Sequence, residues 1–169
     1  LDDQCEFRLQ DYRDVKGQYD RIVSIEMIEA VGEENWPTYF SILRDRLKPG
    51  GCAVIQSITI EEKRFAKYRR KADFIQRYIF PGGMLPTPAL IERHAGEAGL
   101  VLERAETFGE SYARTLQEWR RRFEAAWLEI AELGFDERFR RKWNYYLSYC
   151  EAGFLEGVID VGAYRLRRS

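Results

Sequence analysis

Two short apolar runs constrain this chain more than anything else in it. Tyr19-Asp20-Arg21-Ile22-Val23-Ser24-Ile25 is short and rich in β-branched residues. Cys52-Ala53-Val54-Ile55-Gln56-Ser57-Ile58-Thr59-Ile60 is apolar on both faces in its first half. Runs of this kind read as buried strands. Between them Trp36-Pro37 opens a helix, with proline at a first-turn position, and Tyr39, Phe40, Leu43 and Leu47 keep helical spacing. Lys48-Pro49-Gly50-Gly51 stops that helix and turns the chain. Continuous apolar strands separated by a helix predict a parallel α/β sheet covered on both sides.

The rest of the chain continues this alternation. Phe7-Arg8-Leu9 reads as a short strand ending at Asp11-Tyr12. Residues 61–80 are charged and aromatic and read as largely helical, and Pro81 to Pro86 is a loop. Thr87-Pro88 caps a helix carrying Leu90, Ile91, Ala95 and Ala98, which Gly99 ends. Val101 to Thr107 reads as a strand. Thr115-Leu116-Gln117-Glu118 has the capping-box pattern, and behind it Leu116, Trp119, Phe123, Trp127 and Ile130 form one helical stripe. Asp136 caps a further helix with Phe139, Trp143, Tyr146, Leu147 and Cys150, and Val158 to Leu166 alternates as a last strand. With 169 residues, this is the material of one domain.

Composition excludes several functions. Lys and Arg number 27 against 28 Asp and Glu, so there is no general polyanion-binding footprint. No apolar run approaches the ~18 residues of a membrane-spanning helix. Cys5, Cys52 and Cys150 are far apart and odd in number, which predicts reduced thiols in a cytosolic protein rather than a disulfide framework or a zinc cluster. His94, the only histidine, lies in an amphipathic helix pattern with no evident partner for a Ser-His-Asp or metal site. An open parallel sheet binds its ligand at the carboxyl ends of the strands, and a nucleotide-type site there usually offers a glycine-rich turn after the first strand. No GxGxxG turn is present. On pattern alone the chain is an α/β domain that enters its sheet partway through.

Five segments in series carry a specific resemblance: Leu9 to Asp14 (LQDYRD), Tyr19 to Gly32 (YDRIVSIEMIEAVG), Leu47 to Gly51 (LKPGG), Arg77 to Gly83 (RYIFPGG) and Phe108 to Tyr112 (FGESY). In this order the chain resembles the cyclopropane-fatty-acyl-phospholipid synthase and mycolic-acid cyclopropane synthase family from about residue 7 to its end. The resemblance implies an S-adenosylmethionine-dependent enzyme with a class I methyltransferase, Rossmann-like sheet. It implies an α-helical lid inserted before the last strand. It also implies that the sheet's first strands and glycine-rich cofactor loop lie upstream of these residues, so that this chain is the carboxy-terminal part of the catalytic domain.

The implied reaction adds the cofactor's methyl group to a cis alkene in a phospholipid acyl chain, giving a cyclopropane or a methyl-branched product. Such a site must exclude water, favour a cation and hold a base near the new methyl. By resemblance, Glu29 is the active-site glutamate that hydrogen-bonds a bound bicarbonate base, Tyr112 reaches the same ion, and Ile58 contributes a backbone carbonyl. Gln56 stands where many members have histidine, and Ala30 replaces another histidine. Glutamine donates through its amide but does not titrate near neutrality. For the cofactor, Gln10, Asp11 and Tyr12 are expected at the adenine, with Ile25 packing on its face; with the first strands absent this is half a site.

Lys63 to Lys71 holds six basic residues with interleaved aromatics. The pattern fits a solvated helix face or contact with anionic headgroups, and the resemblance favours lipid over nucleic acid. The expected location is cytoplasmic and peripheral, at the inner face of the membrane. A sheet lacking its central strand exposes the edge beside Ile22 to Ile25, which predicts a homo-oligomer or a strand-swapped dimer. The alternative reading is a non-catalytic fragment that self-associates or binds lipid or a partner.

Overall fold

The computed structural model describes residues 4–169. Its sheet holds β1 (Tyr19–Ile25), β2 (Leu47–Ile60), β3 (Leu100–Thr107) and β4 (Ile159–Arg168) in the order β1-β2-β4-β3. β1 is parallel to β2, while β4 runs antiparallel to both β2 and β3. Helices α1 (Trp36–Arg46) and α4 (Pro88–Glu97) make the crossovers into β2 and β3. Between β2 and α4 lie the short helices α2 (Glu62–Tyr68) and α3 (Phe74–Tyr78). The insertion before the last strand is α5 (Gly109–Ala125), α6 (Trp127–Glu132) and α7 (Glu137–Leu155).

Strand alternation divides the core in two. Ala53 and Ile55 of β2 and Tyr164 and Leu166 of β4 point to the face covered by α1 and α4, against Trp36, Tyr39, Phe40 and Ile91. Each fully buried large side chain there contributes roughly 1.5–3 kcal/mol. His94 belongs to this core: its ring stacks on Phe40 and meets the edge of Trp36. On the opposite face Ile58 and Val161 meet Ala113 and Leu116 of α5 and Leu147 and Phe154 of α7. The α5–α7 pair covers only the end of the sheet where β1 and β2 finish. Val23 and Ile25, in register with Val54 and Gln56, remain 67% and 56% exposed.

The structure corrects five sequence readings. Phe7-Arg8-Leu9 is irregular and exposed rather than a strand, because no strand among the described residues offers it a ladder. Leu47-Lys48-Pro49-Gly50-Gly51 is not a turn before the strand but the start of β2 itself. The ladder slips there, pairing Tyr19 with Leu47 and Arg21 with Cys52. Gly50 has φ +73°, and a Cβ on Gly51 would stand 2.8 Å from the Lys48 carbonyl; the glycines make that irregularity possible. Thr115 caps nothing, since α5 already starts at Gly109 and the Thr115 hydroxyl donates to the Ser111 carbonyl within the helix. The long aromatic stripe is split at Ala126, so Trp127 is buried while Trp119 stays exposed. The 61–80 stretch is helical only over α2 and α3.

Candidate active site

The first centre is Glu29, in the 3-10 turn Ile28–Ala30 that follows β1. Its Oε1 accepts from the Ile58 N–H at 2.6 Å and from the Ser57 hydroxyl at 3.0 Å. Its Oε2 is buried and has no hydrogen-bond partner among the described residues. Burial raises the carboxyl above its ordinary pKa; hydrogen bonds from its own N–H, from Ile58 and from Ser57 oppose the rise, and the charge of Glu26 adds to it.

The turn is fixed from two sides. The Trp36 indole N–H, fully buried, donates to the Ile28 carbonyl at 3.2 Å. The Met84 N–H donates to the Glu29 carbonyl at 2.8 Å. The Pro81-Gly82-Gly83 loop that delivers Met84 is itself held: the Gly83 N–H donates to the Phe80 carbonyl at 3.0 Å, and Gln76 Nε2 donates to the Gly83 carbonyl at 2.9 Å. Gln76 is placed by a reciprocal capping box with Asp73 at the start of α3. The RYIFPGG segment thus acts as a strap over the glutamate turn.

The second centre is a triangle of Glu26, Gln56 and Tyr112. Gln56 Nε2 donates to Glu26 Oε1 at 2.9 Å and to Tyr112 Oη at 2.6 Å. The Tyr112 hydroxyl donates to the same Glu26 oxygen. Desolvation, reinforced by the Glu26 carboxylate, pushes Tyr112 up to about 12, so it stays a donor at neutral pH. Glu26 sits at φ +48°, the only described non-glycine residue with positive φ. Around it Tyr112 packs on Phe108 and Phe154, and Phe80 meets Tyr146 edge-on.

Glu29 meets Ile58 through the Ile58 N–H, and the Ile58 carbonyl, expected at the ion, lies 3.0 Å from the Ser57 hydroxyl, which has one hydrogen to share between it and Glu29 Oε1. Gln56 and Tyr112 meet directly. Sequence reasoning did not single out Glu26 or Ser57. The signal available for Glu26 was a second carboxylate directly after the strand, three residues before Glu29. The Tyr112 hydroxyl hydrogen, expected at a bicarbonate, is donated to Glu26 here, and both Gln56 Nε2 hydrogens are committed within the triangle, while Glu29 Oε2 stays open.

The expected cofactor residues separate. Asp11 and Tyr12 line a cleft of about 360 Å³ with Arg13, Met27, Ala30, Val31 and Asn35. Asp11 also caps the turn that follows it, and its hydrogen bonds from Arg13 hold its exposed carboxyl at about 2. Tyr12 packs edge-on against Tyr39. Gln10 and Ile25 are not among the residues lining this cleft. An acidic acceptor beside the flat and apolar surfaces of Tyr12 and Met27 fits the adenosyl part of S-adenosylmethionine.

A parallel strand pair, a reversed last strand between β2 and β3, a site at the strands' carboxyl ends and a helical insertion over it define the class I methyltransferase fold. The cyclopropane synthase CmaA1 complexed with SAH and CTAB superposes with a TM-score of 0.86 and 26% identity, over 95% of this chain and 59% of that one. The cyclopropane synthase MmaA2 from Mycobacterium tuberculosis superposes with a TM-score of 0.85 and 25% identity, over 98% and 63%. A family profile described as mycolic acid cyclopropane synthetase matches residues 1–164. This chain belongs to that family. Tuberculostearic acid methyltransferase UfaA1 of M. tuberculosis is 48% identical over 164 residues. The cyclopropane-fatty-acyl-phospholipid synthase of Escherichia coli K12 is 41% identical over 146 residues. The chain spans 38% and 37% of the length of these two relatives, which cover 96% and 86% of it.

Proposed function

We propose that this chain supplies the lid, the acid–base centres and one wall of the cofactor cleft to an enzyme that transfers a methyl group from S-adenosylmethionine to the cis double bond of a phospholipid acyl chain. The observation that carries this reading is the buried Glu29 carboxylate with an unpartnered oxygen, set beside the Glu26–Gln56–Tyr112 triangle at the carboxyl ends of β1 and β2. The cofactor, when bound, supplies an electrophilic methyl. The chain's own residues do the rest. Two neighbouring carboxylates favour positive charge on the acyl chain, and the faces of Tyr112, Phe154 and Tyr146 favour it further. The α5–α7 lid and the strap exclude water that would trap that charge. The products open to this chemistry alone are cyclopropane and methylene-bearing acyl chains; a saturated methyl branch needs a hydride donor in addition.

The substrate's setting is a membrane surface, with the protein peripheral on the cytoplasmic face. Of the six basic residues in 63–71, Glu61 pairs with Lys63 and Arg64, and Glu33 pairs with Arg69. Lys67, Arg70 and Lys71 form no ion pair among the described residues. Exposed Tyr78 and Phe80 stand nearby in sequence at 60% and 56% exposure. Cations beside amphipathic rings suit anionic headgroups. No helix among the described residues is long and apolar enough to cross a membrane.

A second reading is favoured by β1, whose outer edge carries no strand among the described residues and whose Val23 and Ile25 are exposed. In that reading the chain is a non-catalytic unit that pairs with another copy through this edge. Incubation with S-adenosylmethionine labelled in its methyl group and with phospholipid vesicles separates the two. Label in cis-unsaturated acyl chains and none in saturated ones supports the enzyme; label in neither, from folded protein, supports the second reading.

A further inference from the structure

Resting on the proposed lipid methyl transfer, we infer that Glu26 fills, from within the protein, the place the family resemblance gives to a bicarbonate ion, and that Glu26 Oε2 is the catalytic base. Three observations converge on it. Every donor hydrogen of the Gln56 amide and the Tyr112 hydroxyl is committed, and Glu26 Oε1 receives two of them. Oε2 of Glu26 makes no hydrogen bond among the described residues, and the side chain is exposed beside Tyr112, whose ring packs on Phe108 and Phe154. The backbone at Glu26 lies in the left-handed region at φ +48°, which a non-glycine residue adopts at a cost of roughly 1–2 kcal/mol. Strain retained at a site where glycine would be relaxed points to a side chain kept for its chemistry.

The step balances without a further reactant. The alkene's π pair forms the bond to the cofactor's methyl carbon, and the carbon–sulfur bond breaks with its pair left on sulfur. The other alkene carbon becomes cationic. A C–H bond of the new methyl breaks and its proton passes to Glu26 Oε2. The freed pair either closes the three-membered ring or, after a 1,2-hydride shift, forms a methylene. Gln56 and Tyr112 hold Oε1, which leaves Oε2 free to take the proton.

Two variants test this on the full 169-residue chain: Glu26→Gln, which keeps the side chain's shape, and Glu26→Gly, which empties the place and relaxes the backbone. The first readout is direct binding of carbon-13-labelled bicarbonate by NMR, with near-UV circular dichroism checking that each variant is folded. Binding by Glu26→Gly but by neither the parent nor Glu26→Gln is the expected result. Binding by the parent, or by none of the three, overturns the inference. The second readout is lipid methylation in solutions freed of carbon dioxide. The expected result is an unaffected parent and loss of about 10²-fold or more in both variants. Added bicarbonate then restores Glu26→Gly and not Glu26→Gln. A parent that needs bicarbonate overturns the inference. If no lipid is methylated under any condition, the proposed function fails, and the binding readout still decides whether Glu26 occupies the ion's place.

Discussion

The backbone N–H of Met84 donates to the carbonyl of Glu29 at 2.8 Å, joining the strap loop to the glutamate turn. Two sequence motifs that stand fifty residues apart in the chain are thus one structural unit. The strap's glycines are part of it: Gly82 has φ +82°, and a Cβ on Gly83 would lie 3.1 Å from the Phe80 carbonyl.

This unit predicts a difference between two glycines. Gly82→Ala and Gly50→Ala both place a side chain at positive φ with open space around it. Each is expected to cost about 1 kcal/mol in urea unfolding. Only Gly82→Ala disturbs the strap, so lipid methylation should fall in that variant and stay near the parent level in Gly50→Ala. Equal activities would separate the strap from the site.

Glu29 gives a prediction with a definite sign. Its carboxyl has a raised pKa in the folded state. The protonated form is therefore favoured by folding, and this contribution is present below the unfolded-state value of ~4.3 and is lost as pH rises through the folded value. Glu29→Gln removes the charge and keeps an oxygen for Ile58 N–H. The variant should be more stable than the parent at neutral pH, with the difference shrinking toward acid. Comparison with the parent at each pH isolates this group from Glu118 and Glu124, whose carboxyls are lowered by arginine partners and respond in the opposite sense. Activity should drop while stability rises. A neutral-pH stability below the parent's would contradict the account of Glu29.

The strain at Glu26 is measurable without any assay of function. Glu26→Gly and Glu26→Ala both lose the contacts to Gln56 and Tyr112, but only glycine relaxes φ +48°. Chemical unfolding should find Glu26→Gly more stable than Glu26→Ala by about 1 kcal/mol. Equal stabilities would mean that the backbone is not strained there.

The proposed self-pairing of β1 is tested by concentration-dependent light scattering. The parent chain should gain mass as concentration rises, and Val23→Lys, a charge placed on the exposed strand, should weaken that gain. A monodisperse 20.0 kDa species throughout would set the proposal aside.

Much of this architecture is legible in the sequence, because it follows from local pattern. β1, β2 and α4 are announced by β-branched runs and by the Thr87-Pro88 cap, whose hydroxyl does accept from the Leu90 N–H. The family motifs single out Glu29 and Tyr112, which the fold brings to neighbouring positions of β2, at Ile58 and Gln56. The Thr115 misreading shows the limit of local chemistry: a serine- or threonine-led pattern inside a longer helix looks like its start. For Glu26 the only trace in the sequence is a second carboxylate directly after the strand; its contacts were not legible. They depend on a left-handed backbone and on a hydroxyl 86 residues further along, and neither leaves a trace in local spacing. Phe7 to Leu9 failed for a related reason, since a strand is defined by the partner it pairs with.

The most direct test of the central claim uses S-adenosylmethionine whose transferred methyl is fully deuterated, with cis-unsaturated phospholipid vesicles and mass spectrometry of the acyl chains. A site built to deprotonate the new methyl predicts a product that retains two of the three deuterons, whether the carbon ends in a ring or a methylene. Retention of all three would mean that no base acts on that methyl, and would contradict the reading of Glu26 and Glu29 as the acid–base centres.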